Sequence, residues 1–192
     1  MPRAGLTTAA VVAAGAELAD EAGYHNLTLG LVARRLNVRA PSLYKHVTGL
    51  ADLQHRIAAL AMTELRDAFR AAAAGRAGRD ALAALARALR GYVTAHPGRY
   101  LATVGAGFTG PDDPLLRAST EVIDLITVVL GGYGIAEAGI VHAIRSVRCT
   151  LHGFATLQAV DGFQWGGDIE ESFDRLVDFI DAGLRAAAAD AG

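Results

Sequence analysis

Cysteine occurs once, at Cys149, so no internal disulfide can form and a reducing compartment suits the chain. Proline is scarce too, with five in 192 residues, while Ala, Leu and Arg fill long windows and no alternating strand pattern of useful length appears. An all-α fold is predicted. No apolar run is long enough to span a bilayer, because Asp124 breaks the best candidate around Val122 to Leu130. Arg3 and the Ala- and Val-rich run to Ala16 have the outline of a leader peptide. Glu17 and Asp20 follow at once, however, and Thr7 or Thr8 can cap a helix there. A soluble, cytoplasmic chain with no membrane partner is expected. The sequence also lacks a nucleophile elbow, a paired-carboxylate site, a metal motif and a nucleotide fingerprint, so neither an enzyme nor a cofactor is expected. The glycines at 131, 132 and 134 follow no strand and lack a Lys-Ser or Lys-Thr pair, so they close a helix rather than cradle a phosphate.

At 52% hydrophobic and 20% charged, the chain can bury a sizeable core. Its formal net charge of -2 hides an asymmetry: residues 1–60 carry six Lys or Arg against four acids, and the remainder twelve against sixteen. The positive end holds the most informative stretch, Thr28 to His46. Leu29, Val32, Ala33 and Leu36 recur at the spacing of one helix face, with Thr28 placed as N-cap. Asn37 tolerates the left-handed conformation that ends a helix, Val38 is an apolar plug, and Pro41 suits the first turn of a second helix through Ser42, Leu43, Tyr44, Lys45 and His46. Arg34, Arg35, Arg39, Ser42, Tyr44, Lys45 and His46 face outward in this reading, and no acid interrupts them. Such a face suits phosphates and base edges, and the stretch reads as a DNA-binding helix-turn-helix.

The run VARRLNVRAPSLYKHV, preceded by Leu27 and Thr28 and followed by Asp52 and Leu53, resembles the N-terminal domain of the TetR/AcrR family of bacterial transcriptional repressors. Leu43, Tyr44 and His46, with Pro41 two residues before Leu43, carry the most specific part. The resemblance implies that Thr28, Tyr44 and His46 touch the phosphate backbone, while Arg39, Ala40, Pro41, Ser42 and Lys45 are presented toward bases. It also implies a homodimer on a palindromic operator and a helical C-terminal body that binds a small, often hydrophobic effector and thereby lowers operator affinity. Many relatives place a Lys at the start of the following long helix, where this chain has Leu50.

The domains are expected at 1–49 and 50–192. Helices are predicted from about Thr8 to Ala22 (face Val11, Val12, Gly15, Leu18, Ala19 and Ala22), Leu50 to Ala73, Asp80 to Ala95, Arg99 to Ala106, an Asp112 or Asp113 cap to Leu130, Ala136 to Val160, and Ile169 to Ala188. The long helix from Leu50 is shared by both domains, as a coupling rod would be. Phe173, Leu176, Val177, Ile180 and Leu184 stripe the last helix, and Ala182, Gly183 and Ala186 permit close approach by another, so homodimerisation through the last two helices is expected.

His142, Arg145, Cys149 and His152 share one helix face and are candidates to orient an effector, with Phe108 and Trp165 as lining residues; Tyr100, Phe69 and Met62 are further lining candidates. The same stripe fits a dimer interface. Zinc binding by Cys149, His152 and His142 lacks a second Cys or a close His pair. The C-terminal region resembles a subset of relatives marked by a Trp-His-Gly signature, although here Leu151 replaces the Trp before His152 and Gly153. The competing functions are a helical module whose basic hairpin faces protein or RNA, and a small all-α enzyme without DNA binding.

Overall fold

The structure is a computed structural model that describes residues 5–189, so Arg3 lies outside it. Among the described residues there are helices and no strand: α1 (Thr8–Ala22), α2 (Leu29–Arg35), α3 (Leu50–Ala73), α4 (Gly78–Ala95), α5 (Pro97–Thr103), α6 (Pro114–Gly131), α7 (Glu137–Ala159) and α8 (Ile169–Ala189), with short 3-10 turns at Tyr24–Asn26 and Ala40–Lys45. None is long and apolar enough to cross a membrane. The ends have local causes. The Thr7 hydroxyl accepts the Ala10 amide at 3.1 Å to open α1, and Gly23, at φ +89°, closes it. α5 begins two residues before its expected start because Pro97 is pre-set for a first turn.

The chain forms two compact units, and their boundary departs from the expected break after residue 49. One unit runs to Thr63 and takes in His96–Ala118; the other comprises Glu64–Ala95 and the chain from Ser119 onward. The first unit extends past the motif because its core needs more helices than three. Val11, Ala16, Leu27, Val32, Leu43, Val47, Leu53 and Ile57 are joined there by Ala102 and Leu115. Ala22, expected on the inner face of α1, is exposed at the helix end. Asp20 binds α5 to α1: its carboxylate accepts the Arg99 amide at 2.8 Å and lies 2.9 Å from Arg99 Nε and 3.3 Å from His96 Nδ1.

Asp113, not Asp112, caps α6. Its buried carboxylate accepts the amides of Leu115 and Thr109 at 2.8 Å each, the Thr109 hydroxyl at 3.1 Å, and a hydrogen bond from His55 Nε2 on α3 at 3.0 Å. Burial pushes this carboxyl up, but the donors outweigh it and hold it at about 2. A carboxyl depressed in the folded state adds stability above its ordinary value near 3.8, and that stability is lost as pH falls through 3.8 toward 2. In urea unfolding at stepped pH, the stability gap between the wild type and Asp113→Asn is expected to shrink between pH 4 and pH 2. A gap constant across that range would contradict the assignment.

In the second unit α4 packs on α7 and α8. Arg79, Arg87 and Arg90 along α4 pair with Asp178, Asp174 and Glu170 along α8, an order that makes the two helices antiparallel. Leu82, Leu85, Leu89 and Val93 of α4, Ile144, Val147 and Leu151 of α7, and Phe173, Val177, Ile180 and Leu184 of α8 are buried.

Candidate nucleic-acid interface

The Thr28–His46 stretch folds around Val32, Ala33, Leu43 and Val47, all buried. The Thr28 hydroxyl accepts the Leu31 amide at 3.2 Å to open α2. At the other end the Val38 amide donates to Ala33 at 3.0 Å and the Asn37 amide to Arg34 at 3.1 Å. Asn37 has φ +52°, so this is a Schellman closure built on asparagine, and half-buried Val38 packs against the core. The second motif helix is shorter and tighter than expected. It is a 3-10 turn over Ala40–Lys45, with Ser42 donating to Arg39 at 2.9 Å and His46 to Leu43 at 2.8 Å. Pro41 has no amide to donate, and Leu43, fully buried at the centre of six residues, pins the turn by one side chain.

With Leu43 inside, its neighbours face outward. Tyr44 is 60% exposed; Thr28, Arg39, Ala40, Pro41 and Lys45 are exposed, and Ser42 and His46 are half-buried. His46 Nδ1 lies 3.5 Å from the Thr8 hydroxyl, so the first turn of α1 helps to orient the ring. The Thr28 hydroxyl uses its lone pair in the cap and keeps its hydrogen for an outside acceptor. Arg34, Arg39 and Lys45 form no ion pair among the described residues.

Arg35 corrects the reading of an uninterrupted basic face. Its guanidinium is held by Glu21 in a two-pronged pair and by Glu17 at 3.3 Å, both on α1. These acids stand 14 and 18 residues before it, outside the window in which the face was read. Glu21 is correspondingly shifted below the usual carboxylate range by the Arg35 hydrogen bond. At the start of α3, Asp52 accepts the Thr48 amide at 2.8 Å and Arg56 Nε at 2.8 Å, so Arg56 is paired, and Leu50 packs against the core. The anchoring Lys of many relatives has no cationic replacement free of an acid at this helix start.

The second candidate set is placed differently from the first. α7 buries Ile144, Val147, Leu151 and Ala155, which leaves His142, Arg145 and Cys149 exposed and His152 half-buried. Burial, and then the nearby Arg148 charge, push the His152 imidazole down. Phe108 is exposed and Trp165 is 94% exposed, so neither lines an internal cavity of its unit. Tyr100 and Phe69 are buried and Met62 is half-buried. Leu151, at the place of the subset's Trp, is ordinary core. Among the described residues no group of three or more His, Cys, Asp or Glu could hold a metal ion.

Comparison with known proteins fits this geometry. Residues 11–49 match the model for bacterial regulatory proteins of the tetR family, and residues 82–180 match a tetracyclin repressor-like C-terminal domain. The uncharacterized HTH-type transcriptional regulator YobS of Bacillus subtilis (strain 168) is 34% identical over 185 residues, covering 95% of each chain. Among solved structures, Mycobacterium smegmatis BioQ superposes with a TM-score of 0.73 at 25% identity, covering 95% of this chain and 99% of that one. A TetR variant from Acinetobacter baumannii AYE in complex with minocycline has the same fold, with a TM-score of 0.72 at 23% identity over 95% of this chain and 98% of that one. With a relative 34% identical over 95% of both chains and the N-terminal and C-terminal parts each matched by a family model, the chain belongs to the TetR family of transcriptional regulators.

Proposed function

We propose that the chain is a cytoplasmic repressor that binds a palindromic operator as a homodimer and is released by a small, hydrophobic effector. The observation that carries the DNA reading is the exposed turn at Ala40–Lys45, flanked by Arg39 and Arg34 with no acid paired to either. Arg39, Ala40, Pro41, Ser42 and Lys45 read bases in this proposal; Thr28, Tyr44 and His46 hold phosphates. Six residues of 3-10 turn reach few base pairs, so two copies are needed for selectivity. Exposed Phe179, Ala182, Gly183 and Ala186 on α8, with Val141 and the His142–Cys149 face of α7, support pairing through the last two helices. Effector release is supported by membership of the family, and the effector is proposed to bind in the second unit, where His142, Arg145, Cys149, His152 and Trp165 are candidate contacts; Phe108 belongs to the other unit.

Two substitutions separate base reading from phosphate holding. Arg39→Ala is expected to relax selectivity at one position per half-site by about 1 to 3 kcal/mol, the range of a side chain on guanine. Tyr44→Phe removes one hydroxyl and is expected to weaken every duplex alike, by about 1 kcal/mol. Fluorescence anisotropy on a panel of single-base operator variants distinguishes them. An unchanged sequence preference in Arg39→Ala sinks its base-reading role, and equal affinity for every duplex sinks the repressor reading in favour of a generic interaction module.

A further inference from the structure

Arg90 on α4 retains 11% of its side-chain exposure. Its guanidinium carbon lies 4.6 Å from the centroid of the Phe173 ring and 5.7 Å from that of Phe154, and its Nε donates to Gln158 Oε1 at 2.6 Å. The two remaining nitrogens form a fork that donates to Glu170 Oε2 at 2.7 Å and Oε1 at 2.6 Å. Glu170, in the first turn of α8, is 74% exposed. The cation is therefore fixed on its apolar seat, while the carboxylate that fills its fork is reached from solvent. Beside it, Arg87, Arg90, Gly91, Thr94, Ala95 and Gln158 line an open groove of about 460 Å³. Gly91 and Ala95, one turn apart, keep that stretch of α4 low, and a Cβ added at Gly91 would meet nothing within 4 Å.

We propose that the Arg90 fork is a binding seat for an amphipathic carboxylate, whose head replaces Glu170 and whose apolar tail lies along the groove over Gly91 and Ala95. The exchange conserves charge: Arg90 trades one carboxylate for another and is never left unpaired, while Glu170 moves the short way into water. A planar two-pronged donor selects a carboxylate over an alcohol, and the tail supplies apolar burial that Glu170 lacks. The seat names an effector class for the repressor proposed above and rests on that reading for its regulatory consequence, but binding itself requires no DNA.

The test is calorimetric titration of the full chain with sodium octanoate and, as the uncharged probe, octanol. Saturable octanoate binding is expected, with none by octanol. Glu170→Gln removes the internal competitor and is expected to tighten octanoate by about fivefold, the scale of one exposed ion pair. Arg90→Lys keeps the charge but loses the fork, and is expected to weaken binding severalfold; Arg90→Gln is expected to abolish it. Because these changes also loosen the staple between α4 and α8, thermal midpoints are recorded with and without octanoate, which should raise that of Glu170→Gln more than that of the wild type. Absence of saturable octanoate binding in both proteins, equal binding of octanol, or binding indifferent to Arg90→Gln overturns the seat. Operator affinity in the same samples reports separately on the regulator reading, so either can fail alone.

Discussion

Gly98→Ala is expected to destabilise the motif-bearing unit by about 3 kcal/mol or more, the upper range for overpacking a tight contact. A Cβ at Gly98 would stand 1.9 Å from the Ala19 carbonyl oxygen, 2.1 Å from its carbon and 2.6 Å from the Asp20 nitrogen. All three are backbone atoms of α1, so no side chain can swing aside. The added methyl must push α5 off α1, and with it break the Asp20 bonds to Arg99 and His96 that hold the two together. The control is Gly91→Ala, also in a helix but facing open space, where gaining a better helix former is expected to stabilise by about 0.5 to 1 kcal/mol. Urea midpoints of the two variants should move in opposite directions. A Gly98→Ala midpoint within error of wild type would mean that α1 and α5 are not in contact at this point.

The second large effect is on assembly. Gly183→Arg is expected to convert the proposed dimer to a monomer and to weaken operator binding by about 30-fold or more, since losing even two base contacts of one half-site removes about 1 to 3 kcal/mol each. Within the single chain Gly183 is exposed and a Cβ there meets nothing within 4 Å, so the substitution leaves the protomer's own packing alone. Ala182 and Ala186 beside it on the exposed side of α8 are small, and a long cation there prevents close approach by a second helix. Light scattering and operator titration should change together. A Gly183→Arg protein that stays dimeric, or a monomer that keeps full operator affinity, would place the interface elsewhere or remove dimerisation from recognition.

What the sequence made legible was local. Thr7, Thr28, Asn37 and Gly23 act within four residues of themselves, and the ends of α1 and α2 were readable for that reason. α3 and α7 were readable because a long one-sided apolar pattern tolerates few alternatives. The unreadable features join residues far apart in the chain. In its own stretch Arg35 has no acid beside it, yet α1 delivers Glu17 and Glu21 to it, and Asp113 meets His55, 58 residues earlier. The same holds for Asp20 with Arg99 and for Arg90 with Glu170. The extent of the first compact unit is hidden for a related cause, since its core recruits α5 and the start of α6 from beyond α4. His142, Arg145, Cys149 and His152 share a face by periodicity, but periodicity does not tell which side the core takes; Ile144, Val147 and Leu151 are the residues α7 buries.

The central claim is that the exposed turn at Ala40–Lys45, doubled by symmetry, reads DNA sequence. Selection of bound duplexes from a random pool, followed by titration of the winner at stepped salt, tests it most directly. The expected result is enrichment of a two-fold symmetric sequence whose logarithm of affinity falls linearly with the logarithm of salt, with selectivity lost at one position per half-site in Arg39→Ala. A pool that emerges without symmetry or preference, with Arg39→Ala binding as the wild type does, would contradict it.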